Sequence, residues 1–209
     1  MAPKTSDAQR AARRRQVLDA AFICFARDGF HRTSMDDIVR QSGMSPGAIY
    51  GYFSGKRELI TAIAEERHRQ EREINERALA CPDPMAALEQ LLRDYRLWLA
   101  DPGERMRRRV GVEIWAEASR GTSLDREIVE GVDAARSAVA TLLGRIADEG
   151  VLSPRTDIDT ASRALVALFQ GLALQLSWNE EADLDEYLKV VESFVRTVIF
   201  QEGEEGPAA

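Results

Sequence analysis

The sequence predicts an all-α protein: a small three-helix N-terminal head followed by a larger helical bundle, about nine helices in all. Two observations carry this. Apolar residues recur at spacings of three and four along nearly the whole chain, and alternating runs of β-branched residues between Gly-rich turns are missing. Charge divides the chain in the same way: residues 1–57 hold ten Lys/Arg against five Asp/Glu, while the rest hold eighteen against thirty. A basic head on an acidic body fits a polyanion that meets the head alone, or a charged, solvated terminus with no partner.

Each element has its own signal. Val17, Leu18, Ala21 and Phe25 share one helical face, and Gly29 just past Asp28 ends that first helix. Thr33 and Ser34 each precede an aspartate by three residues, a capping-box pattern that opens a second helix near 33–41. That helix turns Met35, Ile38 and Val39 inward and stops at Ser42-Gly43. Ser45-Pro46 then supplies an N-cap with proline at the first helical position, starting a short third helix that reaches about Phe53. Beyond Ser54-Gly55, a fourth helix runs from about Lys56 to Leu79, where Pro82 and Pro84 end it. Its second half is polar, with Glu65/Arg69 and Glu73/Arg77 one turn apart, and His68 is expected to be exposed there. Five more helices are expected near 85–100, 104–119, 123–149, 158–179 and 183–201. The domains expected are a 1–55 head, a 56–200 body and a disordered tail at 201–209, rich in Gly and Glu.

Several function classes fall away. Two cysteines, Cys24 and Cys81, with two histidines, His31 and His68, make neither a disulfide framework nor a standard zinc site, so no cofactor or metal is expected. No apolar run approaches the 18 residues of a membrane span, the longest clean one being 164–169. The basic N-terminus lacks the apolar core of a signal peptide, so a cytoplasmic location is the default.

Residues 33–53 carry the specific signal. Two short helices joined by Ser42-Gly43-Met44 have helix-turn-helix spacing, in which the second helix enters the DNA major groove; an αα-corner with no partner is the plainer reading. The outer face of the third helix is nearly stripped of bulk: Pro46, Gly47, Ala48 and Gly51 lie between Ser45, Tyr50 and Tyr52. A helix built for stability alone would not carry glycine there, at about 1 kcal/mol against alanine. Small residues let a helix approach base edges while tyrosine hydroxyls reach phosphates. Lys56 and Arg57 open the fourth helix against its macrodipole, a cost that a bound phosphate would reverse. Arg10, Arg13, Arg14 and Arg15 either add phosphate contacts or form a solvated basic turn.

The run Val17-Leu18-Asp19-Ala20-Ala21, Phe25-Ala26, Gly29-Phe30, Thr33-Ser34-Met35-Asp36-Asp37-Ile38, Gly43-Met44-Ser45-Pro46-Gly47-Ala48-Ile49-Tyr50 and Tyr52-Phe53 with Lys56 resembles the tetracycline-repressor (TetR) family of bacterial transcriptional regulators. The resemblance covers about residues 10–65, with a weaker likeness at Gly171-Leu172-Ala173 to the family's dimerisation helix. It implies a helix-turn-helix head, a ligand-binding and dimerisation bundle, and a homodimer that represses from a palindromic double-stranded DNA operator and is released by a small molecule. By position it implies that Thr33 or Ser34, Ser45, Tyr50, Tyr52 and Lys56 touch phosphates, and that Pro46, Gly47, Ala48 and Gly51 face bases. Gly51 departs from the family, whose members often carry bulk there, so specificity is expected to lean on Tyr50 and on DNA shape.

In the body, Trp98, Met106, Val110, Glu113, Ile114, Trp115, Glu117, Phe169 and Gln170 are candidate ligand-binding residues, apolar with a few polar groups; in the plainer reading the two glutamates are solvated and the tryptophans are core. The effector expected is apolar or a lipophilic cation. The last two helices carry apolar stripes suited to pairing with a second copy, with Leu168, Gly171, Leu172, Gln175, Val191, Phe194, Val195 and Val198 at the dimer interface. Glu113 and Glu117 one turn apart could serve acid/base catalysis, but no nucleophile or phosphate loop accompanies them, and no enzyme is expected. The rival readings are a constitutive DNA-binding or architectural protein without a small ligand, and a helical enzyme or protein-interaction module.

Overall fold

The computed structural model describes residues 7–101, 103–119, 125–153, 156–179 and 183–199, with the side chains of 105, 118, 125–128, 194 and 196–199 outside that description. Phe194, Val198 and the tail at 201–209 therefore lie outside the described set. Among the described residues there are nine helices: α1 (Asp7–Asp28), α2 (Met35–Ser42), α3 (Pro46–Tyr50), α4 (Lys56–Leu79), α5 (Pro84–Ala100), α6 (Glu104–Ala118), α7 (Asp125–Asp148), α8 (Ile158–Trp178) and α9 (Leu184–Ile199). None is long and apolar enough to cross a membrane.

Helix boundaries follow the capping chemistry. Ser34 is the N-cap of α2 in a complete capping box with Asp37, Asp157 caps α8, and Asp83 with Pro84 opens α5. The third helix stops at Tyr50, short of Phe53, because the turn tightens there: Tyr52 N–H donates to Ile49 O at 2.9 Å, three residues back.

Packing divides the chain into two compact units, one of Met1–His68 with Met106–Val129, the other of Arg69–Arg105 with Glu130–Ala209. The first is larger than the 1–55 head marked off by the sequence. Its core takes Val17, Ala21 and Phe25 from α1, Ile38 from α2, Ile49 from α3, Leu59 and Ile60 from α4, and Val110 and Ile114 from α6. Phe53 joins it, so Ile49 and Phe53 bury in one cluster with Ile38 and Phe25. Full burial of each such side chain contributes roughly 1.5–3 kcal/mol. His68, expected to be exposed, is only 8% exposed; the polar pattern around it concealed a buried position.

The second unit packs Ile74 and Ala78 of α4, Leu88 and Leu91 of α5, Leu142, Leu143 and Ile146 of α7, Leu165 of α8, and Val191 and Val195 of α9. Arg96 of α5 and Asp185 of α9 meet in a two-pronged ion pair at 2.8 and 3.0 Å. Arg145 of α7 donates to Leu79 O, Cys81 O and Pro82 O at 3.0, 2.6 and 2.6 Å, satisfying carbonyls at and beyond the α4 C-terminus.

Candidate nucleic-acid interface

The first unit builds the interface from the α2–α3 corner outward. Asp37 accepts from the Ser34 hydroxyl at 2.6 Å and from Ser34 N–H at 2.8 Å, and those bonds hold its carboxyl below the ordinary aspartate range. Asp37 also pairs with Arg40. Gly43 adopts φ 67°, a left-handed conformation that closes α2, with its N–H on Val39 O at 3.2 Å. Gln16 of α1 donates to Ser42 O at 2.7 Å and fixes the same corner. Met44 packs half-buried against the core.

From that corner α3 projects with Ile49 wholly buried, while Ser45, Pro46, Gly47, Ala48 and Gly51 are exposed and Tyr50 is 53% exposed. A Cβ added at Gly47 would meet nothing within 4 Å. Tyr52 is half-buried against the core, leaving Tyr50 as the ring that stands out from the helix.

Two predicted contacts are placed differently. Thr33 is buried, and its hydroxyl donates to Gly29 O at 2.8 Å and to Cys24 O at 3.2 Å, so that group serves the α1–α2 turn while Ser34 is exposed. Lys56 is half-buried; its Nζ donates to Phe30 O at 2.7 Å and lies 4.8 Å from the Phe30 ring centroid. The cation at the start of α4 is thus balanced by a carbonyl and a ring of the protein itself, compensation that the sequence did not reveal. The basic turn of α1 is also partly engaged: Arg14 sits over the Phe53 ring at 4.9 Å, and Arg15 pairs with Asp19 at 2.9 Å. At the start of α4, Glu58 accepts from Ser54 N–H and hydroxyl at 2.7 and 2.9 Å, which lowers its pKa.

Sequence reasoning missed the segment 29–31. Gly29 is left-handed at φ 79°, Phe30 N–H donates to Glu113 Oε2 at 3.3 Å, and His31 Nε2 lies 2.7 Å from Glu117 Oε1. These contacts span more than eighty residues of sequence, beyond the reach of any local pattern.

The candidate ligand-binding residues are divided between the units. Met106, Val110, Glu113, Ile114, Trp115 and Glu117 belong to the first unit, where Val110 and Ile114 are core, Met106 is exposed, and the two glutamates hold the 29–31 segment. Trp115 packs on that core with Arg67 over its ring at 6.0 Å. Trp98, Phe169 and Gln170 belong to the second unit. There Tyr95 lies 5.9 Å from Trp98 and 4.9 Å from Phe169 between ring centroids, a three-ring cluster. A separate groove of about 480 Å³ in the second unit is floored by Leu88, Leu92 and Leu188 of α5 and α9. Of the dimer candidates, Leu172, Val191 and Val195 are buried within the second unit, Leu168 packs on its core, and Gly171 and Gln175 reach the surface.

A capped corner that projects a stripped helix, next to a basic first helix, defines a helix-turn-helix DNA-binding regulator. Residues 17–63 match the bacterial regulatory proteins of the tetR family, and residues 84–199 match the C-terminal part of the BetI-type transcriptional repressors. The HTH-type transcriptional repressor AcnR of Corynebacterium diphtheriae is 26% identical over 196 residues, covering 93% of this chain and 97% of its own. The uncharacterised HTH-type regulator YfiR of Bacillus subtilis is 23% identical over 201 residues, covering 95% and 98%. A regulator from Saccharomonospora viridis, solved in complex with choline, shares the fold at a TM-score of 0.79 and 20% identity, covering 92% of this chain and 100% of that one. The chain belongs to the TetR family of bacterial transcriptional regulators, with a C-terminal portion of the BetI repressor type.

Proposed function

We propose that the protein represses transcription as a homodimer on a palindromic operator and is released by a small cationic, partly apolar effector. The observation that carries the DNA reading is the exposed face of α3. Gly47, Ala48 and Gly51 keep that face thin, Tyr50 stands out from it, and Ile49 and Phe53 anchor it from behind. Two such helices in successive major grooves lie about 34–36 Å apart.

The dimer surface that fits best is the stripe of α8 formed by exposed Ala164, Ala167, Gln175 and Trp178 with half-buried Gly171, together with exposed Val190 of α9. Trp178 and Val190 are 64% and 67% exposed, apolar surface that a second copy could cover. The small residues of the stripe allow close helix crossing.

For the effector, the Tyr95, Trp98 and Phe169 rings offer π faces that suit a quaternary ammonium. The choline complex of the Saccharomonospora viridis regulator makes that class the first to test. Since an effector shifts an equilibrium only by its preference between states, release requires it to favour the form that binds DNA poorly.

The test selects a duplex from random-sequence DNA with the full-length protein, then titrates it in a gel shift. Tyr50→Ala is expected to weaken binding at least tenfold; unchanged affinity would overturn the α3 assignment. Choline and alkyltrimethylammonium salts are then added. Release of the duplex by one of them, lost in Trp98→Ala, supports the effector class; no release at millimolar concentration removes it.

A further inference from the structure

We propose that Glu113 and Glu117 of α6 are positioning residues for DNA binding, a latch that fixes the segment 29–31 and, through it, Lys56 and the start of α2. This rests on the head being the DNA-binding part.

The segment is gripped from two helices at once. From α6, Glu113 Oε2 accepts Phe30 N–H at 3.3 Å and Glu117 Oε1 lies 2.7 Å from His31 Nε2. From α4, Lys56 Nζ donates to Phe30 O at 2.7 Å and reaches His31 O at 3.4 Å. Phe30 is therefore held at both its amide and its carbonyl, and its ring packs edge-on to Phe25 at 5.4 Å. Gly29 makes the approach possible: a Cβ there would meet Glu113 Oε1 at 3.3 Å, on a backbone at φ 79° that side chains rarely adopt. One residue past the gripped segment, Thr33 and Ser34 begin the chain into α2. The latch thus sets the position of the first helix of the DNA-binding corner.

The Glu117 carboxylate does not sit at a solvated surface. The Glu117 side chain is only 7% exposed, and a buried carboxylate persists only where hydrogen bonds replace water. His31 supplies one.

Electrostatics alone and the latch predict opposite signs. Removing a carboxylate from a protein that binds a polyanion should tighten binding. The latch predicts weaker binding. The experiment measures affinity for a duplex selected by the wild-type, full-length protein, over a range of salt concentrations. Glu113→Ala and Glu117→Ala are each expected to weaken binding about tenfold with an unchanged salt slope. Glu113→Gln, which keeps an acceptor for Phe30 N–H, should stay within threefold of wild type. Equal or tighter binding by Glu113→Ala and Glu117→Ala, with melting temperatures unchanged, would overturn the latch. So would equal weakening by Glu113→Gln and Glu113→Ala. If the wild type itself selects no duplex, the DNA reading of the head fails instead.

Discussion

Ser34 and Asp37 show how much one hydrogen-bonded pair sets at the residue scale. Each satisfies the other's donor at the start of α2, and α2 in turn fixes where α3 begins. Ser34→Ala is expected to lower stability by about 1 kcal/mol, the ordinary cost of a lost N-cap, read in a urea melt. The same pair makes a pH prediction. Asp37 and Glu58 both titrate lower in the folded protein because serine hydroxyl and backbone donors favour their charged forms. Their contribution is complete above the ordinary carboxylate range and is lost as pH falls through it and below. Acid unfolding followed by circular dichroism should therefore begin at higher pH in Ser34→Ala than in wild type; coincident acid transitions would show that the cap does not supply this term.

At the scale of elements, α3 is a helix whose composition favours access over its own stability. Gly47 tests this, since the free protein has room for a side chain there. Gly47→Gln is expected to leave the melting temperature within a few degrees while lowering affinity for the selected duplex more than tenfold. A variant that binds as wild type does would remove that face from the interface. Elements such as α3 were legible in the sequence because their ends carry chemistry: Ser45-Pro46, Ser34 with Asp37, Asp83-Pro84 and Gly43 each act on immediate neighbours. The role of α6 was not legible. Val110 and Ile114 have the spacing of any buried helical face, and only the folded chain shows that they complete the core beneath α1 and α4. Glu113 and Glu117 read as a pair of carboxylates seeking a ligand, whereas their partners are a backbone amide and a histidine more than eighty residues away. Likewise Lys56 read as an uncompensated cation, because the carbonyl that receives it belongs to residue 30.

For the whole molecule, the issue is how many copies act together. The sequence marked α8 and α9 as apolar stripes, but a stripe does not say which of its residues face a second chain. Burial divides them: Leu172, Val191 and Val195 turn inward, Gly171 is half-buried, and Gln175 and Trp178 remain on the surface. Gly171 offers a clean test, since an added Cβ meets no atom within 4 Å in the single chain. Gly171→Arg is expected to fold normally yet sediment as a monomer, and to lose most of its affinity for a two-half-site duplex. A variant that remains dimeric would move the interface off this stripe.

Arg145 has a consequence for the C-terminal end of α4. Its guanidinium spans three carbonyls, those of Leu79, Cys81 and Pro82, so the tail of α4 and the shaft of α7 are joined by a rigid fork rather than a loose tether. Any tug on that end of α4 is therefore felt by a second rod as well, and lysine, a single point charge, would uncouple the two without emptying the site of charge.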